Sequence, residues 1–298
     1  MMIEETREPE VTVILPTFNE RQSLPRVIPE IHGALRGIPH EVLVVDDNSP
    51  DGTWQWVLEA QRADPRLRLL RRMANPGLSA AVLEGFAAAR ADRWIVMDGD
   101  GQHDPSILPA ICQALSRYEL VVPSRYLRGG GTGGWNPVRW FGSRLATWMA
   151  QAILNVRLSD PVSGYFGMQR QAYAPIAARM NPRGFKVLLE LYYRLSRRTP
   201  ARHVMYVEVP YTFRARVAGD SKFSRRVIWQ YVQMLLALRR EEPWPQGLPK
   251  FLVVGAAGVV VNCLLLFLLV RAAGWHYLLS SLVAIQGSIA HNFIWHDR

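Results

Sequence analysis

The chain has 298 residues, 49% hydrophobic, with 35 Lys and Arg against 25 Asp and Glu, a formal net charge of +10. That length allows one large domain or two smaller ones, and the charge calls for an anionic partner: a nucleic acid, a nucleotide or an acidic membrane surface. The basic residues are spread without a long Lys/Arg run, which weighs against nucleic acid. The two cysteines, Cys112 and Cys263, offer no metal-ligand spacing and fit a reduced compartment.

Residues 1–10 are polar and charged and lack the apolar core of a signal peptide, so the first domain is expected in the cytosol. Apolar runs at 11–15, 42–45, 67–70, 94–97 and 120–122 read as strands. Amphipathic segments near 22–36, 53–63, 77–91 and 105–117 separate them. This alternation predicts an α/β domain built on a parallel sheet with helices on both faces. Such sheets bind ligands beyond the carboxyl ends of their strands.

Polar clusters stand at those ends. Pro16-Thr17-Phe18-Asn19-Glu20 follows the first run, Asp46-Asp47-Asn48-Ser49 the second, and Asp98-Gly99-Asp100-Gly101-Gln102-His103 the fourth. In an extended segment alternate side chains point the same way, so Asp98 and Asp100 are expected to converge on one hard cation. Oxygen ligands of this kind suit Mg²⁺ or Mn²⁺, and such an ion would bridge the diphosphate of a nucleotide-sugar. An isolated Asp-x-Asp is equally an ordinary polar loop; the weight comes from several strands delivering polar groups to one edge.

Further on, residues 128–134 (RGGGTGG) form a flexible loop. Residues 135–154 mix Trp135, Trp140, Phe141, Trp148 and Met149 with Arg139 and Arg144. They read equally as a partly exposed core helix or as one lying on a membrane surface. Residues 221–238, basic at their start and apolar on one face, read as an interfacial helix or as a helix closing the domain. Residues 251–270 are uncharged over 20 positions and 277–295 over 19 if His291 is neutral, long enough to cross a bilayer in tandem. Arg239, Arg240 and Lys250 precede the pair and His296 and Arg298 follow it, so the positive-inside rule places both termini in the cytoplasm. The expected organisation is a cytosolic domain over 1–220, an interfacial helix and linker over 221–249, and a two-helix membrane hairpin over 250–298.

The stretches ILPTFNE (14–20), VVDDNSPDGT (44–53), NPGLSAAVLEGF (75–86), VMDGDGQH (96–103), PSRYLRGGG (123–131), DPVSGYFGM (160–168) and FRARVAGDSKFS (213–224) together resemble the polyprenyl-phosphate mannosyl transferases. These are relatives of dolichol-phosphate mannose synthase within family 2 glycosyltransferases. The likeness covers residues 11–240 and implies a Rossmann-like GT-A fold. The two spans, ending in HNFIWHDR (291–298), resemble the first half of a four-helix GtrA-like membrane domain. That resemblance implies that two further helices of the domain are absent.

The resemblance also implies roles. Pro16, Phe18 and Glu20 would frame the guanine and ribose; the family usually has Tyr where this chain has Phe18, so a hydroxyl contact is lost. Val45 and Asp47 would contact the nucleoside, although Asp47 and Asp46 both suit a turn-forming role. Asp98, Gly99 and Asp100 would meet the donor, and Asp98, Asp100 and Gln102 would hold the metal. His103 is read as incidental. Arg125 and Arg139 would bind the acceptor phosphate, and Arg216 and Lys222 would clamp the donor diphosphate or help close the site. The implied reaction is attack of a polyprenyl-phosphate oxygen on GDP-mannose, with inversion at the anomeric carbon, at the cytoplasmic membrane. The alternatives are a UDP-glucose-dependent enzyme of the same design, a non-catalytic nucleotide-binding or lipid-flipping subunit, and a processive polysaccharide synthase. The last lacks its Gln-x-x-Arg-Trp-type motif here. A homo-oligomer is a further expectation without a sequence signature.

Overall fold

The computed structural model describes residues 8–184, 186–198, 204–214, 225–241 and 248–296. The chain divides into two compact units, Met1–Leu236 and Ala237–Arg298.

The first unit is built on a seven-stranded sheet of order β3-β2-β1-β4-β6-β5-β7. Its strands are β1 (Val11–Thr17), β2 (His40–Asp46), β3 (Leu67–Arg71), β4 (Arg93–Val96), β5 (Leu120–Ser124), β6 (Phe166–Gln169) and β7 (Tyr206–Pro210). The helices between them are α1 (Leu24–Ala34), α2 (Thr53–Ala60), α3 (Leu78–Ala88), α4 (Leu108–Ala114), α5 (Pro137–Leu154), α6 (Arg170–Tyr173) and α7 (Val187–Ser196). The expected strands and helices are all present. The sheet is mixed, because β6 runs antiparallel to both β4 and β5.

Burial explains the strands. Every residue of β1 and β2 is buried, as expected for strands covered on both faces. Helix α1 buries Leu24, Val27, Ile28 and Ile31, the helical stripe that seats it on the sheet. Each such side chain contributes about 1.5–3 kcal/mol when fully buried. Helix α3 packs closer still: a Cβ on Gly85 would lie 2.7 Å from Ile14 Cγ2.

The topology decides where a ligand can bind. β1 pairs in parallel with β2 on one side and β4 on the other, so the connections diverge there and open a crevice beyond the carboxyl ends. Because β6 is inverted, β5 and β7 again run parallel to β4. The loops leaving β1, β2, β4, β5 and β7, and the one entering β6, therefore all meet at one edge.

Helix α5 buries Thr147, Ala150 and Leu154. Its Val138, Phe141, Leu145 and Trp148, spaced for one face, are exposed. Helix α8 (Arg225–Arg240) is tied to it by the Tyr231 hydroxyl, which donates to the Ala146 carbonyl at 2.8 Å. Trp229, 61% exposed, extends the apolar surface.

In the second unit α9 (Leu248–Phe267) ends in a π-helical turn, Leu268–Ala272, and α10 (Tyr277–His296) returns beside it. A Cβ on Gly258 would strike Asn292, and one on Gly287 would strike Leu265, so the two helices approach closely through small residues. Ser288 Oγ donates to the Gly258 carbonyl at 2.8 Å. Among the described residues one helix, Val254–Ala272, is long and apolar enough to cross a membrane, with mean hydropathy 2.2. The expected second span is helical as α10, with Ser280, Ser281, Gln286, Ser288, His291 and Asn292 among its apolar residues.

Candidate active site

The crevice is lined first by the loops after β1 and β2. Asp46 is fully buried and accepts from the Ser49 amide at 2.9 Å, the Ser49 hydroxyl at 2.6 Å and the Thr17 hydroxyl at 3.0 Å. It takes the turn-forming role, which leaves Asp47 directed elsewhere. Asp47 accepts from the Gly77 amide at 2.7 Å and from the Arg72 guanidinium. The two loops are stitched together: the Asn19 amide donates to Ser49 Oγ and the Glu20 amide to Thr53 Oγ1, each at 3.0 Å. Phe18 is 44% exposed, so its ring is offered at the rim. Pro16 and Val45 are buried within the paired strands, so Val45 can meet a ligand only through its main chain.

The acidic loop differs from the extended segment expected. β4 ends at Val96, and residues 99–101 turn, with Gly101 at φ 77°. Asp98 and Asp100 are therefore presented by a tight turn and not by strand alternation. Asp98 is 40% exposed at its side chain, whereas Asp100 and Gln102 are buried. Asp100 Oδ1 accepts from the Gln102 amide at 3.0 Å, and the Gln102 side chain donates to the Arg214 carbonyl at 3.3 Å. Gly99 nests against Thr17, where a Cβ would lie 3.0 Å from the methyl carbon.

His103 is not incidental. Burial holds its imidazole at about pKa 4, hence neutral, and Nδ1 accepts the Asp98 amide proton at 2.9 Å. Its ring stacks on Tyr165, with centroids 4.9 Å apart. This neutral ring fixes the start of the acidic turn. A second anchor is Arg214, whose amide donates to the Gln102 carbonyl at 2.8 Å while its guanidinium pairs with Glu30 and Asp104.

Among the described residues no cluster of three or more His, Cys, Asp or Glu surrounds the turn. Two carboxylates and an amide oxygen are a donor set that fits a hard divalent ion such as Mg²⁺ or Mn²⁺. They do not fit an ion caged wholly by protein.

On the other side, Arg125 follows β5 and is buried against Asp160. Its Nε donates to Oδ2 at 2.6 Å and its Nη2 to Oδ1 at 2.7 Å. Burial opposes the guanidinium charge, but these bonds outweigh it and the pKa is raised. Trp135 has Arg125 4.8 Å and Arg139 4.2 Å from its ring centroid, so the two expected phosphate ligands share one aromatic platform. Arg139 itself is exposed near the start of α5. The expected donor clamps, Arg216 and Lys222, lie outside the described residues.

A cavity of about 160 Å³ opens between these halves, bordered by Asp98, Arg125, Ser163, Lys186 and Tyr211. Gly164 forms its floor, where a Cβ would come within 3.2 Å of both Asp98 carboxylate oxygens. Lys186, just before α7, donates to the Val162 carbonyl at 3.0 Å, and burial pushes its ammonium down to about pKa 8. Asp160 lies in a stretch the sequence marks out. Lys186 and Tyr211 carried no signal, because they reach the site only through the sheet order.

Residues 12–176 match Glycosyl transferase family 2, and residues 250–298 match GtrA/DPMS, transmembrane domain. A dolichol-phosphate mannosyltransferase of Pyrococcus furiosus is 35% identical over 290 residues, covering 96% of this chain and 80% of that protein. An undecaprenyl-phosphate mannosyltransferase of Micrococcus luteus is 32% identical, covering 74% of this chain and 90% of that protein. Among solved structures, glucosyl-3-phosphoglycerate synthase of Mycobacterium tuberculosis, described with Mn²⁺, UDP and phosphoglyceric acid, shares the fold. Its TM-score is 0.57 at 18% identity, over 78% of each chain.

Proposed function

The chain belongs to the family 2 glycosyltransferases and carries a GtrA/DPMS transmembrane domain, and on that premise we propose that it transfers mannose from GDP-mannose to a polyprenyl phosphate with inversion. The observation that carries the reading is the meeting of a carboxylate turn and an arginine–tryptophan platform at one sheet edge, beside a cavity that holds Asp98 and Arg125.

The loops after β1 and β2 take the nucleoside, with Phe18 as a stacking face and Asp47 as an acceptor for base N–H groups. Asp98, Asp100 and Gln102 would hold Mg²⁺ or Mn²⁺, and the ion would supply positive charge against a diphosphate leaving group. Arg216 and Lys222 are assigned to the same diphosphate. Arg139 and Arg125 draw the acceptor phosphate onto the Trp135 platform, and Asp160 holds Arg125 in orientation.

A phosphate monoester has a second pKa of about 6 and is largely ionised in the cytosol. The site therefore needs no strong general base, and rate enhancement comes from positioning and charge stabilisation. Asp98 and Asp100 act as ligands and not as proton acceptors. The neutral His103 ring keeps their turn in place without adding a charge.

The acceptor's prenyl tail stays in the bilayer, so the active site must come to the interface. The exposed faces of α5 and α8 supply apolar and Trp-rich contact of the kind that settles there. The hairpin of α9 and α10 would span the cytoplasmic membrane with both termini inside, as the flanking Arg239, Arg240 and Lys250 favour. Competition tests the donor: GDP is expected to inhibit transfer far better than UDP. Stronger inhibition by UDP would replace mannose by a UDP-linked hexose such as glucose and leave the rest of the design intact.

A further inference from the structure

The cavity beside Asp98 holds two polar groups for which neither the nucleotide nor the acceptor phosphate supplies a use. Tyr211 is 2% exposed, and its hydroxyl makes no hydrogen bond of good geometry among the described residues, only a loose approach to the Ser163 side chain. A buried hydroxyl left unmatched is destabilising and calls for a reason. It follows the end of β7 and borders the cavity together with Lys186, whose ammonium is within electrostatic reach of Asp98, Asp160 and Arg125. The remaining wall is apolar, with Val82, Val162 and Phe166.

Donors at Tyr211 and Lys186, an acceptor at Asp98 and an apolar wall are what a hexose needs: hydroxyls that give and take hydrogen bonds, and a C–H face that packs. We propose that Tyr211 and Lys186 contact the hydroxyls of the transferred hexose and set which hexose is accepted. The inference rests on the glycosyltransferase reading and deepens it. Both residues lie outside the 12–176 match to the family as a whole.

The test measures affinities of the full chain in detergent with Mn²⁺, for GDP and for GDP-mannose, by titration calorimetry. Tyr211→Phe is expected to leave GDP affinity within about twofold and to weaken GDP-mannose about fivefold; Lys186→Met weakens it about tenfold or more. Retained GDP binding shows that each variant is folded. Without ligand, Tyr211→Phe is expected to melt no lower than the parent, since the hydroxyl it removes makes no well-formed bond. The proposal is overturned if GDP-mannose weakens no more than GDP in both variants. It is also overturned if only the KM for polyprenyl phosphate rises, which would put the acceptor in the cavity. A parent chain that uses UDP-glucose would refute the GDP-mannose reading alone. The same comparison of UDP with UDP-glucose then decides the cavity.

Discussion

Replacing Asp160 by Asn should cost more stability than any comparable polar change on the surface. Asp160 is fully buried and the Arg125 side chain is 7% exposed, joined by two short charge-assisted bonds of 2.6 and 2.7 Å. The Arg125 amide adds a third bond to Asp160 Oδ2 at 3.3 Å. Asn keeps the shape but removes the charge, and Arg125 cannot escape by losing its proton. Breaking a buried pair in this way costs about 3–5 kcal/mol, because one charge stays buried without its counter-ion. In a unit of this size that lowers Tm by on the order of 10 °C. Removing both charges, Arg125→Met with Asp160→Leu, should recover most of the loss, since two apolar groups leave nothing unpaired. Thermal melts of the parent and the two variants in detergent, followed by near-UV circular dichroism, give the comparison. A Tm change of only a degree or two for Asp160→Asn would mean that water reaches the pair and that Arg125 is not left as a buried, unpaired charge.

Gly164→Ala places a methyl group 3.2 Å from both Asp98 oxygens and should raise the Mn²⁺ concentration for half-maximal activity about tenfold; an unchanged metal titration would show that Asp98 is not a ligand. At the opposite edge of the sheet, His32 touches His40 at 2.8 Å and Asp64 at 2.9 Å. Burial outweighs the Asp64 charge and moves the His32 pKa from 6.5 to about 4. The unfolded chain therefore binds a proton below about pH 6.5 that the folded chain refuses until about pH 4. Stability is complete above that window and falls as the pH drops through it. His32→Asn should flatten the profile of denaturation midpoint against pH. Phe141→Ser combined with Trp148→Ser strips the exposed face of α5 and should raise the KM for a long-chain polyprenyl phosphate several-fold without changing that for the donor. Equal shifts in both would remove α5 from the interface.

The half of the sheet built from β1 to β4 was legible because its strands are continuous apolar runs bounded by turn residues. Their neighbours, β6 and β7, were not. FGMQ and YVEVP are short, and the single Val-Glu-Val alternation of YVEVP is too brief to mark a strand. They become strands only by pairing with β4 and β5, far away in sequence. The site divides along the same line. Asp98, Asp100 and the polar clusters after β1 and β2 stand next to legible strands. Asp160, Lys186 and Tyr211 are brought in by β6, α7 and β7. His103 was legible as a neighbour but not as an anchor, since its role depends on Tyr165 stacking across the loop before β6.

The most direct test of the account is transfer itself. Membranes containing the full chain would be incubated with radiolabelled GDP-mannose, polyprenyl phosphate and Mg²⁺ or Mn²⁺, beside an Asp100→Ala control, and lipid-extractable label counted. The account predicts label that requires the added cation and the acceptor and is absent from the control. Label that persists in the control or after chelation would contradict the role given to the carboxylate turn, and no lipid label from any nucleotide-sugar would contradict the reaction.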